Sequence, residues 1–138
     1  MSQENVEVVR AVFAAWNARD MDAVRELYDP DVVMRGVEDW PEPGPYMGRD
    51  ALMGEWEQIR EAWNADLLEP ISDFIDAADR VVVRLAWRGI GQGPGMNMEM
   101  TTVYMVRKGR ILALEFFWNH AEALETLGLS EQDAHADS

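Results

Sequence analysis

The 138-residue sequence contains no cysteine, and this absence excludes disulfide bonds and thiolate metal sites. It contains two histidines, His120 and His135, which are too few for a histidine-rich metal centre. Carboxylate sites for hard cations remain possible. The chain lacks an apolar run of about 18 residues, so we expect no membrane span. Its N-terminus does not join a basic region to an apolar one, so we expect no signal peptide and a cytoplasmic location.

Basic residues are scarce: the chain has 12 Lys and Arg and 26 Asp and Glu, which gives a formal net charge of −14. A surface of that charge repels phosphate backbones and anionic lipids. The basic cluster Arg107-Lys108-Gly109-Arg110 is interpreted as a turn between two strands. We therefore predict no nucleic-acid partner and no membrane partner, and we interpret the charge as an aid to solubility.

The hydrophobic pattern predicts an α+β domain in which helices come first and an antiparallel sheet follows. Helices are predicted over residues 4–19, 20–28, 50–63 and 119–128, and strands over 32–34, 71–75, 81–88, 98–106 and 111–118. The N-terminal helices are expected to pack on the concave face of a curved, mainly antiparallel sheet and to form a cone with a pocket inside. We assign residues 1–129 to one domain and residues 130–138 to an acidic, disordered tail.

Alternation along the strands predicts which side chains line the inside of the cone. Four residues of the last strand share an apolar face: Leu112, Leu114, Phe116 and Trp118. The other face of that strand carries Ile111, Ala113, Glu115 and Phe117. One face of the strand at 81–88 carries Val81, Val83, Leu85 and Trp87, and one stripe of the third helix carries Leu52, Trp56, Ile59 and Trp63.

Four short sequence segments resemble the SnoaL-like branch of the nuclear transport factor 2-like superfamily. They are AWNARDMDA at residues 15–23, LYDPDV at 27–32, GRDAL at 48–52 and AEALETLGL at 121–129. The resemblance covers roughly residues 4–129, and it implies an NTF2-like cone. We expect no cofactor. The superfamily includes ketosteroid isomerase, polyketide cyclases, dehydratases, epoxide hydrolases and non-catalytic binders, so the resemblance does not select an activity.

Ketosteroid isomerase uses a tyrosine and a protonated aspartate as oxyanion donors and a second aspartate as base. The resemblance places Val12, Gly36 and Thr102 at those three positions, so it argues against that mechanism in this chain. It also places Tyr28 and Trp56 at positions where the family has further buried tyrosines. The predicted ligand-binding residues are Trp16, Tyr28, Trp56, Trp87, Thr102, Tyr104, Leu114, Phe116 and Trp118.

The catalytic residues are not identified by the sequence, and four candidates are kept: His120, Tyr28, Arg35 and Glu115. Histidine titrates near neutrality and suits acid–base work. Arg35 could hold an anionic substrate group. Glu115 lies on the strand face opposite the apolar one, where we expect it to meet Arg84 or Arg88 across strands.

Three functional classes remain open. The first is a cofactor-independent acid–base enzyme, of isomerase, cyclase or dehydratase type, that acts on a small hydrophobic, cyclic or polyketide-like molecule. The second is a non-catalytic binder of such a molecule, and the third is a dimeric structural module. We expect a homodimer through the convex face of the sheet, where apolar residues lie among Arg84, Arg88 and Glu115. The apolar members of that face are Ala86, Val103, Met105, Ala113 and Phe117.

Overall fold

The computed structural model describes residues 2–37, 44–62, 67–89 and 97–128, and the predictions that concern Trp63 and the tail lie outside these ranges. Within them the helices are α1 (Ser2–Asn17), α2 (Met21–Leu27), α3 (Arg49–Ala62) and α4 (His120–Glu125). The strands are β1 (Tyr28–Arg35), β2 (Tyr46–Met47), β3 (Leu67–Pro70), β4 (Ile75–Ala77), β5 (Arg80–Arg88), β6 (Asn97–Arg107) and β7 (Arg110–Phe117). Among the helices of these ranges, none is long and apolar enough to cross a membrane.

The strands form one sheet in the order β2-β1-β7-β6-β5-β3, and β4 also pairs with β5. Strand β1 runs parallel to β7, and the other pairs are antiparallel. Helices α1, α2 and α3 contact this sheet, and buried side chains of α1 and α3 join the concave face in one hydrophobic core. The predicted α+β cone, with N-terminal helices on a curved and mainly antiparallel sheet, is therefore confirmed.

Local hydrogen bonds explain where the short helices begin. The Asp20 carboxylate accepts a bond of 3.1 Å from the backbone N–H of Ala23, as a helix N-cap does. Asn119 likewise accepts from the N–H of Glu122 at 3.2 Å and begins α4. Helix α3, which the sequence predicted from residue 50, begins at Arg49, so Asp50 lies inside its first turn.

A β-bulge in β7 changes which side of the sheet its first residues point to. Val106 lies opposite Ile111 and Met105 lies opposite Ala113, so Leu112 is the extra residue of the strand. Ile111 therefore turns into the core, where it is fully buried, and Leu112 leaves it. The predicted faces are confirmed for Leu114 and Phe116 and wrong for Ile111 and Leu112, because a one-residue insertion reverses the alternation on one side of it.

The strand predicted at 71–75 is also wrong, because two shorter strands pair with β5 in its place. Leu68 of β3 lies opposite Trp87, and Ile75 of β4 lies opposite Val82. Between them the hydroxyl of Ser72 accepts a bond of 2.9 Å from the N–H of Arg84. The backbone N–H of Arg84 therefore donates to a side chain, where a continuous strand would have offered a backbone carbonyl. The segment between β3 and β4 is irregular.

Helix α4 lies on the convex face of the sheet, where the sequence led us to expect a second subunit. Ala123 and Leu124 of α4 form a second buried cluster with Val82 and Val103. Phe117 packs against the same cluster. The short helix therefore covers the part of the face around Val82 of β5 and Val103 of β6.

The arginines of the convex face do not pair as predicted. Arg84 lies 3.6 Å from the Glu99 carboxylate, and Arg88 lies 2.5 Å from the Glu69 carboxylate. The cross-strand neighbours of Glu115 are Val103 and Arg35. The prediction that Glu115 meets Arg84 or Arg88 is wrong because β6 lies between β7, which carries Glu115, and β5, which carries the two arginines.

The last residue of α1 is bonded to the edge of the sheet. The Asn17 amide donates to the carbonyl of Leu68 at 3.0 Å, and its oxygen accepts from the N–H of Leu68 at 2.8 Å. One side chain thereby satisfies both backbone groups of a residue in β3, so the helix and the strand are fixed relative to each other.

Candidate functional site in the cone interior

Four aromatic rings meet inside the cone, and we call Trp16, Trp56, Trp87 and Phe116 the interior cluster. The Trp16 ring centroid lies 6.1 Å from that of Trp56 and 5.3 Å from that of Trp87, both nearly edge to face. Phe116 lies 6.0 Å from Trp56 and 6.3 Å from Trp87. Each of the four side chains is at most 3% exposed. The predicted helix stripe and the predicted strand faces therefore converge on one apolar interior.

Three polar atoms are buried in this interior without a hydrogen-bond partner in the part of the chain that the structure describes. They are the indole nitrogens of Trp56 and Trp87 and the hydroxyl of Thr102. Thr102 lies between Val83 and Phe116 in the sheet, so its side chain points to the same concave side. Buried polar groups in native proteins are almost always paired, so three unpaired ones near one aromatic cluster are unusual.

Two buried tyrosines add hydroxyl donors to the interior. Burial raises the pKa of Tyr28 well above its usual range, and the nearby Trp56 indole offsets a little of that rise. Burial also raises the pKa of Tyr104, the neighbouring Tyr28 raises it further, and the Thr102 hydroxyl opposes the rise. The Trp56 and Thr102 groups are thus close to the phenols without completing well-formed hydrogen bonds. Both tyrosines stay protonated and can donate.

These raised pKa values predict a loss of stability in alkali. The folded protein keeps both phenolic protons where the unfolded chain loses them, so the contribution is complete below the ordinary value of 10.0 and falls as the pH rises above it. Urea unfolding between about pH 8 and pH 11 measures the effect. In a Tyr28→Phe/Tyr104→Phe double variant the decline should be shallower. An equally steep decline in both proteins would contradict the assignment.

The positively charged side chain of Arg60 lies against one ring of the interior cluster. The Arg60 guanidinium lies 4.3 Å from the centre of the Trp16 ring and donates to the Trp16 carbonyl at 2.5 Å. Our sequence reasoning missed this residue, although its position four after Trp56 places it near the same helix stripe. Over the described residues, the buried polar or charged side chains are Thr101 and Thr102. The same residues contain no group of three or more carboxylate, imidazole or thiol side chains that could hold a metal ion.

The family described as the SnoaL-like domain matches residues 9–114, which is more than half of the chain. The chain is a SnoaL-like domain. No curated protein resembles this SnoaL-like domain at a significant level. Solved structures do resemble it, and a proposed polyketide cyclase from Sinorhizobium meliloti, protein SMa1630, is 26% identical with a TM-score of 0.65. That match covers 80% of this chain and 93% of the other.

Two further structures similar to this SnoaL-like domain contain small molecules. TerC, co-crystallised with polyporic acid, is 20% identical with a TM-score of 0.72, and the match covers 91% of this chain and 98% of TerC. RV0760c from Mycobacterium tuberculosis, in complex with estradiol-17beta-hemisuccinate, is 17% identical with a TM-score of 0.72. That match covers 84% of this chain and 94% of the other. At these identities the likeness establishes the fold.

The SnoaL-like domain brings most of the predicted ligand-binding residues together. Eight of them are buried in its core: Trp16, Tyr28, Trp56, Trp87, Thr102, Tyr104, Leu114 and Phe116. Trp118 is the exception, since β7 ends at Phe117 and the Trp118 side chain is 47% exposed. The alternation that placed Trp118 on the inner face does not extend past the end of the strand.

The catalytic candidates of the SnoaL-like domain are mostly outside the interior. Tyr28 is buried there, whereas Arg35 and Glu115 are exposed neighbours on the convex face. His120 begins α4, and its Nδ1 lies 3.1 Å from the hydroxyl of Thr101, which faces away from the cone. Of the four candidates, Tyr28 alone lies in the interior of the cone.

Proposed function

We propose that this protein binds a small hydrophobic, cyclic or polyketide-like molecule inside the cone and hydrogen-bonds its oxygen atoms. The observation that carries the proposal is the set of unpaired buried donors, Trp56 Nε1, Trp87 Nε1 and the Thr102 hydroxyl, beside the aromatic rings. An apolar site with a few well-placed polar groups is the usual form of a small-molecule site.

The chemistry of the donors defines the ligand group. An indole N–H can only donate, so its partner is an acceptor such as a carbonyl oxygen. Leaving a buried donor unpaired costs about 1–3 kcal/mol. A ligand oxygen that pairs with Trp56 or Trp87 recovers part of that cost, whereas a pure hydrocarbon of the same shape does not. Recognition therefore favours oxygenated rings.

Such an interior also supports cofactor-independent chemistry of the isomerase, cyclase or dehydratase type. Preorganised donors in an apolar site stabilise the negative charge that develops on a carbonyl oxygen when the neighbouring carbon gives its proton to a base. The described interior buries no carboxylate or imidazole, so a water molecule or a basic group of the substrate would take that proton. Tyr28 and Tyr104, which keep their protons, suit this electrophilic role. Non-catalytic binding is the alternative, and turnover of a bound ketone distinguishes the two.

The relatives support the choice of ligand. TerC was crystallised with polyporic acid, and RV0760c with estradiol-17beta-hemisuccinate. Both compounds are cyclic and largely hydrophobic, and both carry oxygen atoms that accept hydrogen bonds. The proposal extends this ligand class to the present chain because its interior offers donors and aromatic surface.

The test is a fluorescence titration of the protein with a cyclic ketone and with the matching hydrocarbon. We expect saturable binding of the ketone, and Trp87→Phe should weaken it about tenfold, since one hydrogen bond is lost and the ring is kept. Trp118→Phe is the matched control, because that indole lies outside the interior. Binding that the hydrocarbon matches, or that Trp118→Phe weakens as much as Trp87→Phe, would contradict the proposal.

We also propose a homodimer through the uncovered half of the convex face. Strand pairing aligns Met47, Val33, Ala113 and Met105 across four adjacent strands, from β2 to β6. Met47 is 65% exposed, and the other three are half-buried. Arg35 and Glu115 flank this row with opposite charges, so a two-fold axis can pair each with its counterpart. The row offers a second copy an apolar centre with a charged border.

Sedimentation at micromolar protein in physiological salt tests the dimer. We expect a dimer that added salt strengthens, because screening reduces the repulsion between two subunits of charge −14. Met47→Glu should give a monomer of unchanged stability, since that side chain is exposed. Phe117 is a poorer position for this test because it packs against the α4 cluster. A wild-type monomer at every salt concentration would exclude the dimer.

A further inference from the structure

A cavity lies outside the cone interior, where α2, β1, β2 and the start of α3 meet. Its volume is about 280 Å³, and Arg25, Pro30, Met47, Arg49, Asp50 and Ala51 line it together with Gly48. We call it the α2–α3 cavity. Ligand sites for drug-sized molecules usually measure about 300–1,000 Å³, so this cavity suits a smaller group.

Two guanidinium groups and one carboxylate line the cavity. Arg25 contacts the Asp50 carboxylate at 2.5 Å. Arg49 donates from Nη1 to the carbonyl of Tyr28 at 3.3 Å, and its Nε is buried with no hydrogen-bond partner among the described residues. The lining is therefore cationic by one charge, in a chain whose net charge is −14.

We propose that the α2–α3 cavity binds a small oxyanion, a carboxylate or a phosphate group, between Arg25 and Arg49. The planar guanidinium matches the geometry of both groups and can bind each with two parallel hydrogen bonds. Pro30, Met47 and Ala51 supply an apolar wall beside the arginines. The site thus suits the anionic end of a small organic molecule as well as an inorganic anion.

Asp50 acts as a competitor for this anion. Its side chain is 87% exposed, and that of Arg25 is 38% exposed, so solvent screens their ion pair and the pair contributes little to stability. An incoming oxyanion can therefore displace the Asp50 carboxylate towards solvent and take its place on Arg25. Because of this competition, loss of the Asp50 charge should strengthen anion binding, whereas loss of the Arg25 charge should weaken it.

Amide chemical shifts of Gly48 to Ala51 in the ¹⁵N-labelled full chain report occupancy during titration with sodium phosphate at constant ionic strength. We expect saturable shifts in the wild-type protein. Asp50→Asn should bind more tightly, and Arg25→Gln should bind about tenfold more weakly, since one charge-assisted hydrogen bond is lost. Arg49→Gln should also weaken binding, and Arg25→Gln keeps the test valid if the loss of the Tyr28 contact unfolds that variant.

Arg110→Gln is the matched control, because Arg110 is also an exposed arginine beside an acidic side chain, Glu26, and does not line the cavity. It should leave phosphate binding unchanged.

Titration with acetate and with benzoate shows which class of anion the cavity prefers. Tighter binding of benzoate than of both acetate and phosphate assigns the site to organic carboxylates, and tightest binding of phosphate assigns it to phosphate groups. Shifts that grow linearly with every anion, or an Asp50→Asn variant that binds no more tightly than the wild type, would overturn the proposal. The result is independent of whether a ketone binds inside the cone.

Discussion

Trp56→Ala is expected to lower the free energy of unfolding by about 3–5 kcal/mol. Trp56 is 2% exposed and contacts the rings of Trp16, Trp87 and Phe116 at once. Removing it leaves a cavity where α3 meets the sheet, and the neighbouring rings belong to three different elements that cannot all collapse into the gap. Urea unfolding followed by circular dichroism measures the loss without depending on tryptophan emission.

Two controls separate packing from polarity at this position. Trp118→Ala removes the same side chain from a site that is 47% exposed, and it should change the stability by less than about 1 kcal/mol. Trp56→Phe keeps an aromatic ring and removes an indole N–H that has no partner in the described chain, so it should cost much less than Trp56→Ala. Equal losses for Trp118→Ala and Trp56→Ala would show that the interior cluster is not the centre of the core.

Val82→Asp is expected to cost about 3 kcal/mol or more, because it places a carboxylate in a site without a partner. Val82 is fully buried on the convex face, between the sheet and residues Ala123 and Leu124 of α4. The aspartate must either lose its charge or expel α4 from the sheet. Chemical denaturation gives the cost, and amide hydrogen exchange in α4 shows whether the helix separates first.

Met105→Asp is the matched control for Val82→Asp. Met105 lies on the same face and in the neighbouring strand, but it is half-buried and belongs to the half of the face that α4 leaves uncovered. We expect a small loss of stability there, measured at a dilution where the chain is monomeric. Similar costs at the two positions would contradict the placement of α4 on the convex face.

The sequence predicted the concave face of the cone well because β5 and β6 alternate without interruption. Trp87, Thr102 and Tyr104 point inward as the period of two requires. Strand β7 alternates equally well in the sequence, yet the bulge at Leu112 moves Ile111 into the core. Since nothing in the identity of Leu112 distinguishes a bulged residue from a paired one, periodicity could not have located the change.

The convex face was harder to predict for a different reason. Apolar residues there are consistent with burial by a helix or by a second chain, and both explanations produce the same pattern. The short α4 helix was predicted over residues 119–128, but its docking position depends on the packing of Ala123 and Leu124 against Val82 and Val103, which are distant in sequence. The unpaired Trp56 and Trp87 nitrogens were unpredictable as well, because partner geometry is not encoded in residue type.

The bond between Asn17 and Leu68 has a consequence for solubility at high concentration. β3 is the last strand on its side of the sheet, and an open strand edge is a template on which another chain can add a strand. Asn17 occupies both backbone groups of Leu68 on that edge, and β2 at the other end is two residues long. Because these two borders give an incoming strand little to pair with, we expect strands of other chains to add poorly at either of them.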